Sequence, residues 1–157
     1  MSSDRNDFHL SIASQFENID LVQEVLGDAL ERLGAGEDYR HQADLAVREA
    51  VANAIKHGNS EEPDRTVRID FGVEGDEVVI RVRDDGEGFE PSQVADPMSR
   101  ENLLKPGGRG ILYMRTCMDT VHHRRHPEGG TEVEMRKRLA PVEKETEEPH
   151  RELKEEK

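Results

Sequence analysis

Apolar and polar side chains alternate along several segments of the chain, and this period of two residues predicts half-buried β-strands. The alternation is clearest in residues 8–12, 67–73 and 78–82. A compact turn between the second and third of these segments predicts an antiparallel hairpin. Residues 120–125 and 131–137, which flank a turn with one proline and two glycines, are predicted to form a closing hairpin.

Three other segments change to a period near 3.6 residues, which is typical of amphipathic helices. They span residues 18–33, 39–55 and 111–118, and glycines follow the first two as stop signals. The order strand, two helices, hairpin, loop, helix, hairpin favours an α+β fold rather than alternating βα units. We therefore expect a two-layer sandwich in which one mixed, mostly antiparallel sheet is covered by helices on one face.

The length of 157 residues is typical of one domain, which we place at residues 1–140. Residues 141–157 contain seven glutamates, four lysines or arginines and only two large apolar residues, so they are expected to form a disordered tail. Residues 90–105 contain two prolines and no sustained period. Such a long loop is typical of an active-site lid or of a disordered segment.

The formal net charge of −13 argues against direct binding of nucleic acid, which depends on lysine and arginine contacts to phosphates. A basic protein partner fits this charge, and so does solubility without any partner. The single cysteine fits a reducing compartment. With no signal-peptide pattern and no apolar run near the roughly 20 residues of a membrane span, we expect a cytoplasmic protein with no membrane partner.

The second predicted helix carries a carboxylate and a carboxamide, Glu49 and Asn53, four residues apart. Side chains at this spacing project from one helix face with Cβ atoms roughly 6 Å apart. The asparagine oxygen could bind Mg²⁺, and the glutamate could orient or deprotonate an attacking hydroxyl near a phosphate. The alternative is that both side chains simply face solvent, as most polar residues on helices do.

Two glycine-containing segments complete the candidate chemistry. Asp84 ends a predicted strand and offers an acceptor for the amino group of adenine, while Gly86 and Gly88 allow the backbone to approach a base. Gly108 and Gly110 precede a predicted helix, where backbone N–H groups and the helix dipole favour an anion such as phosphate. Each segment alone is also typical of an ordinary turn or hinge, and no P-loop string occurs.

In order and spacing, these segments resemble the motifs of the GHKL, or Bergerat-fold, ATPase superfamily. Residues 49–58 (EAVANAIKHG) resemble its N box, 84–89 (DDGEGF) its G1 box, 108–111 (GRGI) its G2 box and 130–131 its late Gly-Thr turn. Within the superfamily, the chain is most similar to the small anti-sigma factor serine-protein kinases of the RsbW and SpoIIAB type. The resemblance extends from about residue 8 to residue 139.

The resemblance implies a role for each matching residue. Glu49 would be the catalytic base and Asn53 the Mg²⁺ ligand. Asp84 would read adenine, with Thr131 supporting that end of the base. The motif glycines would contact the nucleotide through their backbones: Gly86, Gly88, Gly108 and Gly110.

The resemblance also implies an activity. The protein would be an ATP- and Mg²⁺-dependent serine/threonine kinase that phosphorylates a STAS-domain anti-sigma factor antagonist and sequesters a sigma factor. It would form a homodimer. Two alternatives remain open: an ATP-binding regulator that holds a partner without phosphoryl transfer, and a kinase of a partner-switching circuit that does not end in a sigma factor.

Overall fold

The computed structural model describes residues 7–86 and 110–139. Its strands are β1 (Phe8–Ala13), β2 (Thr66–Glu74), β3 (Glu77–Arg83), β4 (Thr120–Arg125) and β5 (Thr131–Arg138). Its helices are α1 (Ile19–Arg32), α2 (Glu37–Asn53) and α3 (Gly110–Cys117). A 3₁₀ turn, Phe16–Asn18, precedes α1, and a π-helical turn, Ala54–Gly58, continues α2.

The five strands form one sheet in the order β1-β2-β3-β5-β4. All four pairings are antiparallel, so the parallel component that the prediction allowed does not occur among the described strands. Phe71 lies opposite Ile80, and Ile80 lies opposite Met135. The alternating apolar positions of the three central strands therefore share one face of the sheet.

Helices α1 and α2 cover that apolar face. Val22, Leu26 and Leu30 of α1 are buried at spacings of four residues, which places them along one stripe of the helix. Gly34, with a φ of +83°, ends the helix because it adopts the left-handed conformation at low cost. Burial of each such side chain contributes about 1.5–3 kcal/mol. The predicted two-layer α+β fold is confirmed.

The opposite face of the sheet carries charged side chains held in ion pairs. Arg136 contacts Glu74, Glu77 and Glu134 at 3.0, 3.1 and 3.2 Å, and Arg81 contacts Glu134 at 2.8 Å. Their position follows from the strand alternation, which turns these residues away from the apolar core. The sheet is therefore apolar toward the helices and charged on its other side.

The predicted lid at residues 90–105 and the predicted tail at residues 141–157 lie outside the described residues. Within the described ranges, none of the helices combines the length and the apolar character that crossing a bilayer requires.

Candidate functional site

Helix α2 presents Glu49 and Asn53 at the edge of its buried stripe. The neighbours Ala46, Ala50 and Val51 are buried in the core, whereas Glu49 and Asn53 are half-buried. No hydrogen bond or ion pair joins either side chain to another described residue. Because the two residues lie one helical turn apart, both sets of side-chain oxygens can reach the same ligand.

The π-helical turn then carries the chain from Asn53 to Gly58. Beyond it, the N–H of Asn59 donates to the carbonyl of Ala54 at 2.8 Å, a bond that spans five residues instead of four. The prediction placed the stop signal at Gly58 correctly but missed the change of helix type.

Asp84 follows the last residue of β3 and is 4% exposed. Its Oδ1 accepts hydrogen bonds from the N–H of Gly86 at 2.9 Å and from the N–H of Thr131 at 3.1 Å. Its own N–H donates to the carbonyl of Thr131 at 3.0 Å. Both donors meet the same oxygen, so among the described residues Oδ2 has no hydrogen-bond donor and can accept one from a ligand.

Three glycines surround this aspartate closely. A Cβ atom at Gly58 would overlap Oδ2 of Asp84, one at Gly86 would overlap the carbonyl oxygen of Gly58, and one at Gly130 would overlap the carbonyl oxygen of Asp84. Gly130 also has a φ of +86°, which favours glycine. The end of the helix that carries Glu49 and the carboxylate of Asp84 therefore lie in direct contact through Gly58.

Burial raises the pKa of Asp84, because removal from water disfavours the charged form. The N–H groups of Gly86 and Thr131 oppose this effect, while the neighbouring charge of Asp85 adds to it. The result is a carboxylate that is costly to ionise. A ligand that donates a hydrogen bond to it favours the ionised form.

Asp85, the next residue, lies in a different environment. Its carboxylate accepts hydrogen bonds from Arg68 at 2.7 Å and from the N–H of Thr66 at 3.0 Å. Burial raises the pKa of Asp85, but these two donors and the Arg68 charge outweigh it, and the net shift is downward. Asp85 thus fastens the end of β3 to β2 and leaves Asp84 as the acceptor beside the helix.

The remaining predicted site residues are described only in part. Thr131 lies beside Asp84 through the backbone contacts given above. Gly110 is the first residue of α3, and Gly88 and Gly108 lie outside the described residues. Contact of these three glycines with a nucleotide stays a prediction.

Sequence reasoning missed two residues that the site contains, Asn59 and the ion-paired Asp85. Asn59 is completely buried, although it occurs in a polar segment that is otherwise exposed. No periodicity marks an asparagine as buried, so the sequence contained no signal for its position.

Comparison with known proteins places these features in a family. A family described as "Histidine kinase-like ATPase domain" matches residues 12–137. The anti-sigma F factor of Oceanobacillus iheyensis is 30% identical over 138 residues, which are 87% of this chain and 94% of that protein. The serine-protein kinase RsbW of Bacillus subtilis is 29% identical over 145 residues, 88% of this chain and 89% of that protein.

Solved structures share the fold. The RsbU and RsbW domains of Rv1364c from Mycobacterium tuberculosis superpose with a TM-score of 0.62 at 18% identity, over 85% of this chain and 32% of that one. The mycobacterial sensor histidine kinase MprB gives a TM-score of 0.53 at 16% identity, over 86% of this chain and all of that one. The chain thus spans about a third of the first structure.

Proposed function

Because this chain belongs to the histidine kinase-like ATPase domain family, as its motifs predicted, we propose that it is an ATP-dependent serine/threonine protein kinase. Its target would be a STAS-domain anti-sigma factor antagonist, and it would also bind a sigma factor. The family implies nucleotide binding. The names of the relatives, anti-sigma F factor and serine-protein kinase RsbW, support the choice of reaction and partners.

One structural observation carries the proposal: the contact between Gly58, at the end of the helix that carries Glu49 and Asn53, and the buried carboxylate of Asp84. A nucleotide is long enough to contact Asp84 and Asn53 at the same time. Its base would lie at Asp84 and its phosphates toward Asn53.

Asp84 would select adenine through Oδ2. An ionised carboxylate only accepts hydrogen bonds, and the exocyclic amino group of adenine is a donor. Guanine carries an oxygen at that ring position, which would face Oδ2 as a second acceptor and be repelled. Because Gly58 and Gly86 have no Cβ, the end of the helix can pack directly against Asp84 and keep its carboxylate in place.

Asn53 would hold Mg²⁺ through its amide oxygen, and a single protein oxygen suffices because Mg²⁺ keeps several waters and binds phosphate oxygens as well. Bound Mg²⁺ would neutralise charge on the phosphates. Glu49, one turn earlier, would accept the proton of the target hydroxyl. The hydroxyl oxygen would bond to the γ-phosphorus, and the bond between the γ-phosphorus and the oxygen that bridges it to the β-phosphate would break.

The test is phosphoryl transfer from labelled ATP, with Mg²⁺, to STAS-domain proteins encoded near this one. We expect phosphoserine or phosphothreonine on at least one of them. Glu49→Gln should bind ADP like the wild type but lose transfer by about 100-fold or more, because it removes only the proton acceptor. Glu31→Gln is the matched control, since Glu31 is an exposed glutamate of α1 and should leave the rate unchanged.

Two results would contradict this proposal in different ways. Intact ATP binding without transfer to any STAS-domain protein would exclude the kinase and leave a binding regulator. If the wild type transfers phosphate but the Glu49→Gln variant captures no sigma factor, the protein is a kinase of a circuit that does not end in a sigma factor.

A further inference from the structure

The side chain of Asn59 joins three parts of the fold that are distant in sequence. It is 0% exposed. Its Nδ2 donates to Oγ of Ser14 at 2.8 Å and to the carbonyl of Thr66 at 3.1 Å. Its Oδ1 accepts the N–H of Asp85 at 2.8 Å. A buried amide with both ends engaged fixes its neighbours strongly, because any movement leaves a polar group unpaired.

The bond to the N–H of Asp85 acts directly on Asp84. This N–H belongs to the planar peptide unit that begins at the Cα atom of Asp84, so its orientation sets ψ of Asp84 and φ of Asp85. The carboxylate of Asp85 is held separately, by Arg68 and by the N–H of Thr66. Hydrogen bonds therefore hold both the N–H of the peptide between the two aspartates and the side chain of Asp85.

The backbone around Asn59 also indicates that its position is enforced. Ser60 and Glu61 have φ values of 54° and 57°, in the left-handed region that side chains other than glycine rarely adopt. The carbonyl of Asn59 accepts the N–H of Glu62 at 3.0 Å, and the N–H of Glu61 donates to the carbonyl of Ile55 at 2.7 Å. Unfavourable conformations of this kind persist where the surrounding structure requires them, often beside functional sites.

We propose that Asn59 is a positioning residue that sets the purine preference of the site by fixing the peptide between Asp84 and Asp85. The inference rests on the proposed function, because it takes Asp84 as the adenine acceptor. Without the Asn59 bond the N–H of this peptide loses its partner, and the two hydrogen bonds to Oδ1 of Asp84 alone leave Oδ2 less firmly in the direction that distinguishes an amino group from an oxygen.

The test compares ADP and GDP affinities, measured by calorimetry with Mg²⁺ present, in the wild type, Asn59→Ala and Ser14→Ala. Asn59→Ala should weaken ADP binding about tenfold and change GDP binding less than about twofold, so the preference for adenine falls. Ser14→Ala removes one partner of Nδ2 but leaves the bond from Asp85 to Oδ1. It should lower the thermal midpoint and keep the preference for adenine.

A second variant and a wild-type measurement keep the test decisive if Asn59→Ala fails to fold. Asn59→Ser retains a small polar side chain that cannot span the same three partners, and it should lose the preference as well. In the wild type without nucleotide, amide hydrogen exchange by nuclear magnetic resonance should show the N–H of Asp85 protected. Fast exchange there would overturn the inference.

The outcomes separate this inference from the proposed function. A wild type that binds neither nucleotide overturns both. A wild type that prefers ADP, with the same preference in a folded Asn59→Ala or Asn59→Ser variant, overturns only the role of Asn59.

Discussion

Adjacent aspartates can serve different purposes when one carboxylate is paired with a positive charge and the other is buried with one oxygen left for a ligand. Asp85 meets a guanidinium and a backbone N–H, whereas Asp84 meets two backbone N–H groups on one oxygen only. Burial therefore gives Asp84 a raised pKa, whereas at Asp85 the donors and nearby positive charges together outweigh burial and lower the pKa. The residue whose ionisation is costly is the one proposed to contact the ligand, as is common at functional sites.

Asp84→Asn tests that assignment. The new amide has only one oxygen to accept hydrogen bonds, and the N–H groups of Gly86 and Thr131 need it. The NH₂ group of the amide would then face the amino group of adenine, and two donors cannot pair. We expect ADP affinity to fall about 100-fold, equivalent to about 2.7 kcal/mol. The thermal midpoint without nucleotide should stay the same or rise, since a charge that is costly to bury has been removed.

Asp70→Asn is the matched control, because Asp70 is an aspartate on the charged face of the sheet, paired with His9. It should leave ADP affinity unchanged. Equal ADP affinities in Asp84→Asn and the wild type would show that Asp84 does not contact the base.

Among the secondary-structure elements, the end of α2 shows where sequence patterns stop being informative. The apolar period continues through Ala54 and Ile55, so it predicts a helix but not whether the hydrogen bonds span four or five residues. The π-helical turn brings Gly58 against Asp84, and only the packed structure reveals that contact. Periodicity reports which face is buried, and it carries no information on what that face meets.

Gly58→Ala tests the contact between these elements. A methyl group at Gly58 would overlap the Asp84 carboxylate, so either the carboxylate rotates or the π-helical turn moves. We expect loss of ADP binding by at least about tenfold and destabilisation by about 1–3 kcal/mol, which is typical of overpacking. Calorimetry and thermal unfolding measure the two effects.

Gly27→Ala provides the comparison, because Gly27 lies within α1 and a Cβ there would meet no other atom within 4 Å. That variant should gain about 0.5–1 kcal/mol from the higher helix propensity of alanine and keep full ADP affinity. A Gly58→Ala protein that binds ADP normally would contradict the close packing at Asp84.

For the whole molecule, the fold was predictable because each local pattern agrees with the global architecture. The alternation in β2 and β3 predicted a sheet with one apolar face. The helical period of α1 predicted an amphipathic helix to cover that face, and the structure confirms both. The resemblance of the motifs predicted the family. The link from Asn59 to Asp85 was not predictable, since it joins residues 26 positions apart that belong to no repeating pattern.

The stability of the whole molecule should also depend on pH through Asp85. Because the folded-state pKa of Asp85 is lowered, its contribution is fully present above the ordinary pKa of an aspartate and is lost as the pH falls through the lowered value. Asp85→Asn should therefore lower the thermal midpoint at pH 7 by about 3 °C, as expected for about 1 kcal/mol in a protein of this size. Below the lowered pKa of the folded state, the difference between variant and wild type should shrink toward zero.

Thermal unfolding of both proteins across the acid range measures this dependence, with Asp76→Asn as the control. Asp76 pairs with Arg138 at 3.2 Å, but both side chains are about two-thirds exposed, at 68% and 70%, so solvent screens the pair. Its loss should change the midpoint little at any pH. A constant difference between Asp85→Asn and the wild type at all pH values would instead mean that the substitution acts through packing, and that the charge of Asp85 does not hold the end of β3 to β2.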